Sequence, residues 1–146
     1  MAIVYFDASA FVKLVVEESG SDLASALWDG SDAVVSSRLA YPEVCAALAA
    51  AHRNDTLTDA DYEDVRVPWD DFWSAVRPVG LTRAIEQDAG ALAPRRALRG
   101  ADAVHLASAL VVRSPELVVA AWDRRLHGAA VAEGLAVAPR SLDEPV

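Results

Sequence analysis

The sequence predicts an α/β layered fold whose sheet is mainly parallel, and three observations support this prediction. Short apolar runs, such as those within residues 2–7 and 116–123, suit strands buried on both faces. Segments with helical character separate these runs along the whole chain. No repeat, low-complexity tract or obvious linker interrupts the alternation. Strands that alternate with helices in this way form parallel sheets covered by helices.

The first part of the chain contains two predicted strands. Residues 2–7 predict the first strand because they contain the apolar run IVYF, and helical segments follow at 8–18 and 21–29. The run AVVSS at 33–37 predicts a second short strand.

Two long helices are predicted in the middle of the chain. The stretch SRLAYPEVCAALAAAHRND is rich in alanine, and Pro42 in its early turns is tolerable with a local kink. Residues 58–77 have a good helix start, because Thr58 is a candidate N-cap and acids occupy the first turn. Pro68 is expected to bend or divide this segment.

The rest of the chain again alternates between strands and helices. Gly100 marks a break between two helices, and Gly134 is a candidate C-cap. The predicted strands lie at 78–82, 116–123 and 135–139, and the predicted helices lie at 83–98, 101–113 and 124–134.

Length and composition restrict the class of protein. The 146 residues predict one domain spanning 1–146, and a hydrophobic content of 53% is enough for a core and too high for disorder. The longest apolar stretches are far shorter than a membrane span and no secretory signal is recognised, so no membrane contact is expected. Cys45 is the single cysteine, which excludes a disulfide framework and a cysteine-rich zinc site and fits a cytoplasmic location.

The net charge of −9 argues against one common kind of nucleic-acid binder. An acidic surface repels polyanions at long range, so a basic binding groove is not expected. Two interpretations stay open at this point. The charge is either an ordinary acidic surface or a set of carboxylates gathered around cations.

Four acids stand where the predicted fold would bring them together. Asp7 and Asp123 follow the apolar runs IVYF and LVVAAW, at the carboxyl ends of predicted strands, where open parallel sheets bind ligands. Glu43 and Asp102 interrupt helix stripes that are otherwise apolar. A carboxylate on such a stripe is costly unless it is paired or bound to a metal.

A cluster of these carboxylates needs a counter-charge. Two carboxylates about 4 Å apart repel by roughly 1 to 4 kcal/mol, depending on local screening. Either some of them are protonated or a hard divalent cation binds, and Mg²⁺ and Mn²⁺ prefer oxygen ligands. Such an ion activates water and stabilises phosphoryl charge, so the pattern favours metal-assisted hydrolysis of a phosphodiester.

Each acid also has a structural interpretation. Asp7 is a candidate cap of the following helix, with Ser9 sharing that role, and Asp123 is a candidate helix start. Glu43 is able to pair with an arginine at the edge of its stripe, and Asp102 suits a first helical turn. The four acids are more informative as a set, because one fold sends all of them to the same end of the sheet.

Four stretches of the sequence resemble, in order, the successive motifs of the PIN-domain family, and the likeness is greatest to its VapC toxins. They are YFDASAFVKLVVEE, SSRLAYPEVCAAL, LRGADAVHLASAL and VVAAWDRRLHGAAVAEGL. The likeness runs from residue 2 to about residue 138. The combination of D-A-S-A, E-V and D-A-x-H-L-A is specific, whereas each motif alone is weak.

The resemblance implies a fold and an activity. The fold is a three-layer α/β/α sandwich with a parallel sheet of about five strands and an acidic pocket at the carboxyl edge. The activity is that of an endoribonuclease dependent on Mg²⁺ or Mn²⁺. The implied partners are an RNA substrate, a second copy in a homodimer and a VapB-type antitoxin that holds the toxin inactive.

The resemblance also assigns roles to residues of this chain. Asp7, Glu43, Asp102 and Asp123 match the acidic metal-site positions, with Asp7 and Asp102 as the principal ligands. Glu43 would bind metal or orient the attacking water, and Asp123 would complete the second side of the site. Ser9 matches the small polar residue that supports the first aspartate.

One position departs from the family pattern. Family members often carry Thr or Ser two residues before the fourth acid, whereas this chain has Ala121 there and Trp122 next to the acid. A hydrogen bond that would orient Asp123 is therefore expected to be missing.

Basic residues and one histidine flank the acids. The arginines are candidates for RNA phosphate contacts, with ordinary solvated helix ends as the alternative. His105 is interpreted as a packed histidine that makes a structural hydrogen bond, and a phosphate contact is the alternative. The candidate RNA-binding residues are Arg95, Arg96, Arg99, Arg124 and Arg125.

Two other functions are weighed against the ribonuclease. A PIN-like binding module with little or no catalysis, acting through its dimer and partner surfaces, is favoured only by Ala121. A Mg²⁺-dependent phosphatase is disfavoured because no second aspartate follows Asp7 by two residues, and no phosphate-binding glycine loop is present. The aromatic residues of DYEDVRVPWDDFW suit core packing or a groove for an antitoxin helix.

Overall fold

All strands that the computed structural model contains within the described residues, 1–143, belong to one parallel sheet. Their order across the sheet is β3-β2-β1-β4-β5, and every neighbouring pair is parallel. The strands are β1 (Ile3–Phe6), β2 (Ala33–Ser37), β3 (Arg77–Val79), β4 (Leu117–Ala120) and β5 (Ala136–Ala138).

Helices connect the strands and cover both faces of the sheet. They are α1 (Ala8–Val15), α2 (Ser21–Gly30), α3 (Ala40–Arg53), α4 (Asp59–Ala75), α5 (Arg83–Arg96), α6 (Gly100–Val111) and α7 (Arg124–Ala132). None of these helices is both long enough and apolar enough to cross a membrane within residues 1–143.

Two apolar cores lie on opposite faces of the sheet because successive side chains of β1 point to opposite sides. Tyr5 packs in the core that contains residues of α5, α6 and α7, including Leu106. Val4 and Phe6 pack in the core that contains residues of α1, α3 and α4, including Phe11. The structure is therefore a three-layer α/β/α sandwich, which confirms the predicted fold class.

The central strand β1 creates the crevice at which open parallel sheets bind ligands. After β1 the chain first builds β2 and β3 on one side, and later builds β4 and β5 on the other side. The register pairs Phe6 with Ala120, and the Asp7 backbone N–H donates to the Ala120 carbonyl at 3.2 Å. Strands β1 and β4 therefore end at the same level. Their carboxyl ends form the topological switch point, where the chain changes from building one side of the sheet to building the other.

Of the two effects expected of Pro68, bending or dividing the helix, division does not occur, because α4 runs without interruption from Asp59 to Ala75. Pro68 lies on the exposed side of the helix, and so does Asp64, whose carbonyl loses its usual helical partner to the proline. Solvent can satisfy that carbonyl. The neighbouring Trp69 is buried against Phe11, which holds the helix to the core.

The strand predicted at 116–123 ends earlier, at Ala120. The chain stays extended for the next residues, since the Ala121 backbone N–H donates to the Ala138 carbonyl at 3.1 Å. The Trp122 backbone N–H then donates to the Ser9 hydroxyl at 2.9 Å. Asp123 therefore lies beyond the end of β4, at the same edge as Asp7.

Candidate active site

Asp7 occupies the turn between β1 and α1 and is nearly inaccessible to solvent. It is the N-cap of α1, and its Oδ1 accepts hydrogen bonds from the Ala10 backbone N–H at 2.9 Å and the Ser9 hydroxyl at 2.6 Å. The Ser9 hydroxyl also accepts from the Trp122 backbone N–H. Ser9 thus joins the carboxyl ends of β1 and β4 and fixes the carboxylate, the supporting role expected of it.

Burial raises the pKa of Asp7 to about 6. The neighbouring His105 opposes this increase in pKa most, followed by the hydrogen bonds from Ser9 and Ala10, and the charge of Asp123 adds to the increase. The ionised form of Asp7 is therefore disfavoured unless a cation comes close to it.

Asp102 lies in the first turn of α6, where a negative charge interacts well with the helix dipole. It is also largely buried, and burial is the main cause that raises its pKa. The charge of Asp123 adds to this effect, whereas Arg99 opposes it. Asp102 and Asp7 are thus both held in surroundings that disfavour their ionisation.

Asp123 is the N-cap of α7, which agrees with its interpretation from the sequence as a candidate helix start. Its Oδ1 accepts from the Leu126 backbone N–H at 3.0 Å, which orients the carboxylate. The Ala121 methyl group is fully buried in the core instead. Ala121 donates no side-chain hydrogen bond to Asp123, and the contact with Leu126 holds the carboxylate from the side of the helix.

Glu43 lies in the first turn of α3 and contacts His105 of α6 across the site. The Glu43 Oε1 is 2.5 Å from the His105 Nε2, and the His105 Nδ1 is 2.7 Å from the Tyr5 hydroxyl. Glu43 therefore pairs with a histidine rather than with an arginine. His105 is 2% exposed, so the structure supports the interpretation of a packed histidine with structural hydrogen bonds.

Arg99 lies against two of the acids and provides part of their counter-charge. Its side chain is 3.4 Å from the Asp102 Oδ2 and 3.5 Å from the Asp123 Oδ2. Arg99 is two-thirds exposed, so both contacts are weak and are screened by solvent. The arginine can leave the acids at little cost.

The donor set suits a hard divalent cation, although the side chains do not form a closed cage. In the described part of the chain, no three His, Cys, Asp or Glu side chains lie together closely enough to hold a metal ion by themselves. Mg²⁺ usually keeps several waters and takes one or two carboxylates together with substrate phosphates. The buried carboxylates of Asp7 and Asp102, both of which the charge of Asp123 repels, fit that kind of open site.

A comparison with the sequence models of known protein families identifies the family to which this chain belongs. The sequence model described as PIN domain matches residues 4–131. The chain belongs to the PIN-domain family.

Two mycobacterial PIN-domain relatives match nearly the whole length of the chain. They are Ribonuclease VapC45 of Mycobacterium tuberculosis strain CDC 1551 / Oshkosh and Ribonuclease VapC49 of strain ATCC 25618 / H37Rv. Each is 66% identical over 143 residues, which cover 98% of this chain and 99% of the relative. These relatives confirm the predicted resemblance to VapC-type PIN-domain proteins, which are generally dependent on divalent metals.

A solved structure shares the fold at much lower identity. The crystal structure of PAE2754 from Pyrobaculum aerophilum matches with a TM-score of 0.65 and 20% identity, over 93% of this chain and 83% of that chain. The α/β/α architecture is therefore retained where most residues differ.

The candidate RNA-binding arginines of this PIN domain divide into two groups. Arg95 and Arg96 of α5 both donate to Glu133 beyond α7, so the structure uses them to join two helices. Arg124 donates to the exposed Asp143 at 2.6 Å, and Arg99 faces the acids. These contacts favour the structural interpretation for Arg95 and Arg96.

Arg125 forms no hydrogen bond or ion pair with any of residues 1–143 and is exposed. It lies in the first turn of α7, two residues after Asp123. Arg125 thus has no contact to give up before it binds a polyanion, whereas Arg99 and Arg124 would have to leave exposed ion pairs.

Tyr5 is the residue near this site that sequence reasoning missed. It is fully buried in the middle of β1, yet its hydroxyl reaches His105 and also accepts from the Ser37 backbone N–H at 3.1 Å. A buried tyrosine hydroxyl normally has a hydrogen-bond partner. A tyrosine within the apolar run IVYF was therefore a usable signal for a polar contact below the acids.

Proposed function

We propose that this protein is the endoribonuclease toxin of a VapBC-type toxin–antitoxin pair and that it hydrolyses RNA phosphodiester bonds. The support from relatives is the 66% identity, over almost the whole chain, to two proteins named as VapC ribonucleases. The observation that carries the proposal is the placement of buried carboxylates with raised pKa values at the switch point of the sheet.

The proposal assigns the catalytic metal, Mg²⁺ or Mn²⁺, to Asp7, Glu43, Asp102 and Asp123. Asp7 and Asp102 would be its principal ligands, because both are buried where a carboxylate stays ionised only if a cation comes close. Asp123 would complete the second side of the site. When bound, the cation activates water and stabilises the charge of the phosphoryl group.

The protein's own residues would prepare this site in three ways. Ser9 and Ala10 hold Oδ1 of Asp7, which fixes the direction in which the carboxylate faces. Glu43 would accept a hydrogen bond from the attacking water and thereby orient it. Arg99 would leave the acids and bind a phosphate of the RNA, for which a guanidinium is well suited.

The RNA would cross the site between two basic edges. Arg99 precedes α6, and Arg124 and Arg125 begin α7, so positive charge flanks the acids on both sides. These local charges would attract the RNA backbone although the net charge of the chain is −9.

The partners and location follow from the same proposal. A VapB-type antitoxin would bind this protein and hold it inactive, and two copies would form a homodimer. The protein would act in the cytoplasm, where its RNA substrates are made and used.

We expect the purified, antitoxin-free protein to cleave single-stranded or structured RNA when Mg²⁺ or Mn²⁺ is supplied. EDTA should stop cleavage, and an excess of Mn²⁺ should restore it, because the buried acids supply no countercharge to a phosphate by themselves. Gel analysis of a defined RNA measures this directly. Undiminished cleavage in EDTA would reject the proposed chemistry, and metal-dependent binding of RNA without cleavage would support the alternative of a binding module.

A further inference from the structure

We propose that Tyr5 and His105 are positioning residues that set the orientation of the Glu43 carboxylate toward the metal and the attacking water. This inference rests on the proposed function and adds to it, because no acidic residue is reassigned. The two residues act through Glu43 and do not touch the substrate themselves.

Three hydrogen bonds connect the core of the sheet to Glu43. The Ser37 backbone N–H donates to the Tyr5 hydroxyl oxygen at 3.1 Å, and that hydroxyl lies 2.7 Å from the His105 Nδ1. The His105 Nε2 lies 2.5 Å from the Glu43 Oε1. Tyr5 and His105 are buried, whereas the Glu43 side chain is 28% exposed. The series of hydrogen bonds therefore begins in the core and ends at the site.

The donors and acceptors along this series of hydrogen bonds favour one tautomer of His105. A backbone N–H can only donate, so the Tyr5 oxygen accepts from Ser37, and its single proton remains available for His105. The Nδ1 of His105 then accepts this proton's hydrogen bond and carries no proton of its own. The proton of the neutral ring is therefore on Nε2, where it is donated to Glu43.

This tautomer has a consequence for the Glu43 carboxylate. Oε1 is held by the buried ring, whereas Oε2 has no hydrogen-bond partner among the residues that the structure describes. One oxygen is thus fixed by the protein, and the other is available for a cation or a water molecule. In metal sites, partners of this kind orient the ligand and are worth 10- to 100-fold in metal affinity or activity.

A purely structural role would not require this arrangement. The edge-to-face packing of Tyr5 on His105 could be provided by apolar rings, without burying a hydroxyl and an imidazole. The series of hydrogen bonds instead passes through His105, which lies one turn after Asp102 on α6, and ends on Glu43 of α3, an acid of the site. The buried hydroxyl of Tyr5 and the buried ring of His105 therefore serve to orient Glu43.

The test compares two His105 variants of similar volume. The amide nitrogen of His105→Gln can take the place of Nε2 and donate to Glu43, whereas His105→Met cannot donate. Mn²⁺ affinity, measured by titration calorimetry on each folded protein, should fall by about 10- to 100-fold in the Met variant and by much less in the Gln variant. Wild-type affinity in the Met variant, or equal losses in both variants, would overturn the proposal.

Nitrogen-15 NMR of the histidine rings tests the tautomer in the wild-type protein, with no dependence on how a variant folds. His105 should show an unprotonated Nδ1 and a protonated Nε2, and His52→Gln and His127→Gln would assign its signals. Tyr5→Phe, which removes the hydroxyl that donates to Nδ1, should weaken the preference for this tautomer, while the Glu43 carboxylate still accepts from Nε2. A protonated Nδ1 in the wild-type protein would contradict the inference.

The same experiments separate the inference from the proposed function. If the wild-type protein binds no Mn²⁺ and cleaves no RNA, the proposed function fails, whatever the tautomer is. If the wild-type protein binds Mn²⁺ and cleaves RNA, and the Met variant behaves like it, the positioning role alone fails.

Discussion

Replacing Asp7 or Asp102 with asparagine is expected to abolish RNA cleavage without unfolding the protein. Each substitution keeps the size of the side chain but removes an anionic oxygen ligand. A metal contributes several kcal/mol to the stabilisation of a phosphoryl transition state, so its loss should slow cleavage by roughly 10³-fold or more. The measurement is the initial cleavage rate of a defined RNA at saturating Mn²⁺.

A matched control is available at the opposite edge of the sheet. Glu116 is exposed and immediately precedes β4, so Glu116→Gln removes one negative charge far from the acids. This variant should cleave RNA at the wild-type rate. If the Asp102→Asn protein cleaves RNA as fast as the control, the assignment of the site is wrong.

Asp7→Asn is also expected to make the metal-free protein more stable at neutral pH. The pKa of Asp7 is about 6 in the folded protein, against an ordinary value of 3.8. As pH rises between these values, the unfolded chain releases this proton before the folded protein does, so the stability of the wild-type protein falls. Above the folded-state pKa of Asp7, the free energy of unfolding of the wild-type protein is lower by roughly 3 kcal/mol than at low pH because of this group.

Thermal unfolding in EDTA at pH 7 and well below pH 3.8 measures this effect. At pH 7, Asp7→Asn should raise Tm by several degrees, because asparagine carries no charge and still accepts from Ser9 and Ala10. Well below pH 3.8 the gain should disappear, since Asp7 is then protonated in both states. Mn²⁺ should stabilise the wild-type protein and not the variant. A variant that is less stable than the wild-type protein at pH 7 would refute the account that burial destabilises the ionised form of Asp7.

The sequence allowed the fold and the location of the acids to be predicted for one physical reason. Apolar runs such as IVYF are long enough for a buried strand and too short for a membrane span, so the alternation of elements is visible locally. The residue after such a strand must lie at the carboxyl edge of a parallel sheet. The predicted fold therefore placed Asp7 at the carboxyl edge of the sheet.

Other features depend on contacts between residues that are distant in sequence. The Glu43–His105 contact joins residues 62 positions apart, and the Tyr5–His105 contact joins residues 100 positions apart. No local pattern specifies which acid a histidine reaches. By contrast, the hydrogen bond from Leu126 to Asp123 is local, and the sequence already made Asp123 a candidate helix start.

Asp7 shows why capping and metal binding were not true alternatives. A helix cap needs one carboxylate oxygen, and here Oδ1 alone accepts the bonds from Ser9 and Ala10. The second oxygen is left for another partner. The start of α1 thus fixes the carboxylate of Asp7 without using all of its capacity as a ligand.

The most direct test of a shared metal site is anomalous diffraction from crystals grown with Mn²⁺. The account predicts an anomalous peak within about 2–2.5 Å of carboxylate oxygens of both Asp7 and Asp102, with Arg99 moved away from the acids. Asp123 and Glu43 should contact the ion directly or through one water. A Mn²⁺ ion bound elsewhere in a protein that still cleaves RNA would contradict the central claim.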